Sequence, residues 1–226
     1  MTGSLLRYEV RRAGRPVLLA PPLAAAAVGT VALLGVRSGD DQRAAYAFFC
    51  VLEMAIPLAV GIGTGSLVGR DPALELQLTL PTRYRTTLLR RTAVAVGMGA
   101  LVASVVSELL VATGWWQRWP RATGGWPGQL TWLAPTLALA AVGLLAAALL
   151  RAPAAAAAVV AGLWLFEQVA PDWVPSPLLL FATTRPFTGD WTVNRIVLLA
   201  SAAVLLAAAW PLLGRAQWLL AGERSE

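Results

Sequence analysis

Apolar runs long enough to cross a bilayer recur six times in this chain, and no other feature limits its fold so strongly. They cover about 16–36, 44–69, 92–114, 130–150, 153–170 and 196–213, with shorter polar stretches between them. Around twenty consecutive apolar residues is what one α-helix needs to span hydrocarbon. A backbone with unsatisfied N–H and C=O groups is too costly there, so helices are the form such runs take. Of 226 residues, 58% are hydrophobic and 13% charged, and the six runs leave no length for a soluble domain. The expectation is one all-α integral membrane domain, 1–226, with six transmembrane helices.

The polar stretches carry their own signals. In 1–15, Leu5, Leu6, Tyr8 and Val10 alternate with Arg7, Arg11, Arg12 and Arg15, which reads as a basic amphipathic helix lying at the interface. Pro21 and Pro22 fall in the first two turns of the first span and should kink it or delay its start. Arg37–Arg43 is a short polar loop. In the second span Gly61, Gly65 and Gly69 recur every four residues, a small-residue ridge for close helix packing. Trp115, Trp116, Trp119 and Trp126 follow the third span as an aromatic belt at the headgroup level. Arg151-Ala152-Pro153 is so tight a turn that the fourth and fifth spans must be antiparallel neighbours.

The stretch 171–195 differs from the other connections. It holds Pro171, Pro175, Pro177 and Pro186, yet Leu178–Ala182 is apolar and too short to cross a membrane. It reads as a re-entrant or surface helical hairpin against the outer ends of the bundle. Three carboxylates fall within the spans: Glu53, Glu108 and Glu167. Each either reaches solvent near the outer surface, lines a pathway for a cationic or amphipathic substrate, or hydrogen-bonds between helices in protonated form. Glu53 is the deepest, with Pro57 one turn later.

What is absent restricts the chemistry. There is no histidine, and all 18 basic residues are arginine. Without lysine no Walker A loop can form, and without histidine there is no Ser-His pair, HExxH zinc site or haem histidine. No catalytic, cofactor-binding or metal-ligating residue stands out, so any energy source belongs to a partner or a gradient. The single cysteine, Cys50, cannot form an internal disulfide. The net charge of +6 is what a polytopic protein uses for orientation, so no nucleic-acid partner is expected. Arginine-only, alanine-rich usage matches a bacterial genome of high GC content.

The longest charged stretch between two apolar runs is 69–91, GRDPALELQLTLPTRYRTTLLRR. Asp71 followed by Pro72 is a helix-start signal, and Pro81 pushes Leu80 out of the α region, so a short helix fits between them. Wound this way, Leu74 and Leu78 take one face, Leu76 and Leu80 the opposite one. Such an element needs an apolar surface on each side: the membrane domain and a soluble partner.

Acidic residues, a leucine-rich turn, then LPTR and a basic run into a hydrophobic helix resemble the permease subunits of type-2 ABC exporters. The residues that carry the resemblance are Glu75, Leu76, Leu80, Pro81, Thr82 and Arg83. In that family the segment between the second and third membrane helices is a cytoplasmic coupling helix that docks on an ATPase subunit. The resemblance implies docking by Asp71, Leu74, Glu75, Leu76, Leu78, Leu80, Pro81, Arg83 and Arg85. It also implies a re-entrant extracellular element between the fifth and sixth helices, a second permease subunit making a homodimer or heterodimer, and ATP with Mg bound by the ATPase rather than by this chain.

Arginine counts set the orientation. Six spans put both termini on one side together with Arg7, Arg11, Arg12, Arg15, Arg70, Arg83, Arg85, Arg90, Arg91, Arg151, Arg215 and Arg224, twelve in all. The other side holds six: Arg37, Arg43, Arg118, Arg121, Arg185 and Arg195. The positive-inside rule then places both termini and the leucine-rich segment in the cytoplasm of a bacterial plasma membrane. The leading expectation is the membrane-spanning subunit of an ABC exporter, surrounded by lipid. An intramembrane protease or lipid transferase and a non-transporting scaffold are the competing readings, the first disfavoured by the missing histidine and lysine.

Overall fold

A computed structural model of the chain describes residues 14–68, 84–118, 130–181 and 191–213. Six long helical elements carry most of these, and there is no strand among the described residues. The interfacial helix read over 1–15 lies outside the described residues except for its end, and Arg15 belongs to the first long helix. The segment read as a coupling helix also lies outside them, up to Arg83.

Helix α1 is Arg15–Arg37. It begins ahead of Pro21 and Pro22 and runs through both, so the delayed start expected from them does not occur. Each interior proline loses its own N–H bond and presses its ring on the carbonyl four residues back, yet the helix is continuous through both, with the alanine run Ala24–Ala27 just after them. The turn after α1 uses Gly39 at φ +76, and the Asp40 carboxylate caps the next helix by accepting the Arg43 N–H at 3.0 Å. That cap starts α2, Asp41–Ser66, three residues before the apolar run expected from Ala44. Gly35 lets α1 and α2 approach where Ala44 would meet a larger side chain.

Within α2 the winding changes. Asp41–Cys50 is α-helical, Val51–Ala55 forms a π-turn, and Ile56–Ser66 is α-helical again. Helix α3, Tyr84–Ala112, starts well before the expected residue 92, because nothing in Arg85–Arg91 breaks a helix and arginine and leucine are good formers. Gly114, at φ +75, ends it, and a short 3₁₀ turn Trp116–Arg118 follows.

Helix α4, Leu133–Leu150, ends with Arg151 in the left-handed region, φ 57. Ala152 then leads directly to Pro153, which opens α5, Pro153–Val169, at the position where a missing N–H does no harm. This is the tight antiparallel turn the sequence requires. After α5 come two 3₁₀ turns, Pro171–Trp173 and Ser176–Leu178, then Leu179, Leu180 and Phe181. The described part of the expected re-entrant or surface helical hairpin holds only these two single 3₁₀ turns and no α-helix, since Pro171, Pro175 and Pro177 each remove a donor and cap the length of any turn. Helix α6, Thr192–Leu213, starts four residues before the expected 196.

Helices α1, α2, α3, α4 and α6 are long and apolar enough to cross a membrane, while α5, at 17 residues, is shorter. The chain has the build of a multi-pass all-α membrane protein. In α4, 67% of the apolar stretch is buried, and in α2 61%, against 22% to 28% in α1, α3 and α6. Helix α4 is therefore the axis of the bundle, packed by α2, α5 and α6. One buried cluster gathers Val17, Leu67, Leu88, Leu144, Ala156 and Leu213, and another Phe49, Leu52, Ile56, Val60, Trp116 and Trp132. A third joins Met54, Leu139, Val160, Leu198 and the post-α5 residues Leu180 and Phe181.

Candidate functional site

Polar side chains converge at the end of the bundle where α5 leads into its following segment. Glu53 lies in the π-turn of α2 and is 2% exposed. Its Oε1 accepts from Arg195 Nη2 at 3.3 Å. Arg195 sits in the first turns of α6, and its Nη1 donates to the Leu180 carbonyl, also at 3.3 Å. The guanidinium carbon stands 5.5 Å from the Trp191 ring centroid. A carboxylate at membrane depth is worth about +2.5 to +3.5 kcal/mol on insertion scales, and a charge partner is the usual remedy. Glu53 has one.

Glu167, on the buried face of α5, is held differently. Its Oε2 accepts the Leu180 N–H at 3.0 Å and its Oε1 the Phe181 N–H at 2.9 Å. Hydrogen bonds to an ionised carboxylate are among the stronger kinds, and two consecutive amides spread the charge over both oxygens. Next to Arg195, the Asn194 amide donates from Nδ2 to the carbonyls of Leu179 at 2.8 Å, Ser176 at 3.0 Å and Pro177 at 3.1 Å. Beyond its two short turns the stretch Pro171–Phe181 lacks helical bonds of its own, and side chains of α5 and α6 satisfy backbone groups of Ser176, Pro177, Leu179, Leu180 and Phe181. Leu179, Leu180 and Phe181 are buried at 0%, 5% and 0% exposure, so the stretch forms a strap folded back into the bundle.

The three carboxylates read within spans therefore part company. The structure brings Glu53 and Glu167 to the two sides of Leu180, one through Arg195 and one directly. Glu108 is exposed on α3, beside exposed Val105 and Leu109. Two residues that complete the cluster were missed in the sequence: Arg195, assigned to a loop, and Asn194. The signal was there, since Asn194-Arg195 directly abuts an apolar run in a chain whose spans hold carboxylates in want of a counter-charge.

Of the ridge residues, Gly61 packs on Leu139 of α4 and Val160 of α5, and Gly65 on Gly143 and Ala156. The Thr64 hydroxyl reaches the Ala140 carbonyl of α4 at 3.2 Å. Gly69 lies outside the described residues. So do Asp71, Leu74, Glu75, Leu76, Leu78, Leu80, Pro81 and Arg83. Arg85 is described: it belongs to the first turn of α3, with its guanidinium 4.7 Å from the Trp210 ring of α6. Of the four residues read as a tryptophan belt, Trp119 and Trp126 lie outside the described residues, while Trp115 and Trp116 pack on Phe48 and Phe49 at 5.2 and 5.0 Å, with Trp116 buried in the bundle.

As it stands the cluster is a tether between helices. No group of three or more His, Cys, Asp or Glu placed to hold a metal ion occurs among the described residues. Compared with known proteins, the chain matches no family model, and no curated protein or solved structure matches it at a significant level.

Proposed function

We propose that this chain is the transmembrane subunit of an ATP-driven ABC exporter of the type-2 class. It forms a translocation path with a second permease subunit, identical or related, and is driven by a separate ATPase that binds ATP and Mg. The observation that carries this reading is the strap between α5 and α6. Its Leu179–Phe181 end folds back into the bundle where the resemblance calls for an extracellular re-entrant element. The strap is independent of the leucine-rich segment between α2 and α3, so the two lines of support do not share residues. In this reading α5 is a sixth span, both termini face the cytoplasm, and 71–85 meets the ATPase there. The chain itself hydrolyses nothing.

The test is purification of the tagged, full-length chain from its native membrane in mild detergent. Expected is co-purification of a protein with a Walker A sequence and ATPase activity that rises on reconstitution with this chain. Recovery of the chain without any such ATPase, under conditions where it stays folded, overturns the reading in favour of a scaffold or an intramembrane enzyme.

A further inference from the structure

The two halves of α2 are held by different parts of the molecule. The inner half, Ile56–Ser66, is wedged on α4 through Gly61, Gly65 and the Thr64 hydroxyl. The outer half, Asp41–Cys50, is tied to the turn after α3. Asp41 Oδ2 pairs with Arg118 Nη1 at 2.7 Å, and Phe48 and Phe49 lie against Trp115 and Trp116. Between the halves the Ile56 N–H reaches back five residues to the Val51 carbonyl, one residue more than an α-turn spans. Pro57 has no N–H with which to form the ordinary helical bond back to position 53. A turn that holds one surplus residue is a joint. Losing or moving that residue rotates one half against the other by about 100°, the angle per residue of an α-helix.

Glu53 is the middle residue of this joint, so the joint decides where its carboxylate points. From there a continuous set of bonds runs through Arg195 to the Leu180 carbonyl, and the N–H of that same residue is held by Glu167. We infer that the π-turn of α2 is the release of the Pro171–Phe181 strap. Rewinding the turn to α-helix swings Glu53 off Arg195 and loosens the guanidinium from Leu180, which leaves Leu179–Phe181 held by Asn194 and Glu167 alone and raises how often this end of the strap opens. Rotation of the outer half of α2, which carries the aromatic contacts and the Asp41–Arg118 pair, is the motion that works it. The device rests on these contacts alone and holds whatever the protein moves or binds.

The experiment follows alkylation of single cysteines by an impermeant maleimide in the purified full-length chain, with Cys50→Ala as background. Leu180→Cys reports the strap and keeps the backbone groups that Arg195 and Glu167 hold. Leu178→Cys, at a position 45% exposed, reports reagent access, and Ala146→Cys, at a position 7% exposed on α4, reports the bundle as a whole. Glu53→Gln, and separately Pro57→Ala, which restores the missing N–H, should each raise the rate at Leu180→Cys about tenfold or more relative to Leu178→Cys, with Ala146→Cys still protected. Should Glu53→Gln alone fail to fold, Glu53→Gln with Arg195→Gln removes both charges and is expected to give the same release. A strap that stays protected when the pair is removed, or when Pro57 is replaced, overturns the inference. So does a rise at Ala146→Cys equal to that at Leu180→Cys.

Discussion

Gly143 of α4 lies so close to Gly61 of α2 that a Cβ on Gly143 would collide with the Gly61 carbonyl oxygen. The atom in the way is backbone, so no rotamer change can make room. Gly143→Ala is expected to force the two central helices apart and destabilise the fold by about 1–3 kcal/mol or more, the usual range for overpacking. Gly97 on α3 is the control, with nothing within 4 Å of its added Cβ, and Gly97→Ala should be neutral or slightly stabilising. Thermal unfolding in detergent, followed by monodispersity, measures both.

The Glu53–Arg195 pair predicts a particular pattern of non-additivity. Glu53→Gln leaves a largely buried guanidinium without its carboxylate, and Arg195→Gln leaves a buried carboxylate without its guanidinium. Breaking a buried pair from one side typically destabilises by about 3–5 kcal/mol, whereas removing both charges together is far milder. The double variant should therefore be more stable than either single variant in thermal or denaturant unfolding. Equal or greater loss in the double variant would mean the two charges do not depend on each other.

Glu167→Gln tests a different bond set. A glutamine offers one acceptor oxygen and an NH2 group, and the NH2 cannot accept from a backbone amide. One of the Leu180 and Phe181 N–H groups is left unsatisfied, at about 1–3 kcal/mol. Amide hydrogen exchange at Leu180 and Phe181 should accelerate while exchange in α4 does not change. Glu108→Gln, on an exposed position of α3, should leave stability within about 0.5 kcal/mol of the parent.

Orientation is open to direct chemistry. In a Cys50→Ala background, single cysteines at Asp40, Gly124 and Gly189 should react with an impermeant thiol reagent added to whole cells, and one at Gln77 should not. Labelling at Gln77 with silence at the other three would invert the arrangement.

Contact with an ATPase is expected to run through the two-sided leucine segment. Leu76→Asp or Leu80→Asp puts a charge where a buried apolar anchor is proposed, and should weaken ATPase association about tenfold or more in pull-down titrations. Association and transport both unchanged in these variants would reduce 71–85 to an ordinary loop.

What could be read from the sequence was the apolar middle of every helix, and what could not was where each one begins. Hydropathy marks the lipid-facing body, but a helix starts where a cap or an uninterrupted run of good formers allows. Thus α3 reaches back through Arg85, Arg90 and Arg91 to Tyr84, and α6 back to Thr192. The second error hid Arg195 from the list of charges within spans, and with it the partner of Glu53. The Gly61–Gly65 ridge was legible because small residues four apart leave no alternative but a close neighbour. The π-turn was not, since Val51–Ala55 has the composition of any apolar helix and only Pro57 hints at a missing bond. The bonding of Glu167 to main-chain amides was equally hidden, because backbone partners leave no trace in residue identities.

Helix α5 has a consequence for the lipid around it. Its 17 residues amount to roughly 25 Å along the axis, several ångströms short of a hydrocarbon layer about 30 Å thick. It ends at Val169 and Trp173 follows, and the two stand 76% and 82% exposed. An indole prefers the headgroup level, so if α5 crosses the membrane as proposed, Trp173 draws that level toward α5 and the neighbouring leaflet thins to follow. Such a protein would carry a dimple on one flank, and bilayers of shorter acyl chains should accommodate that flank with less distortion.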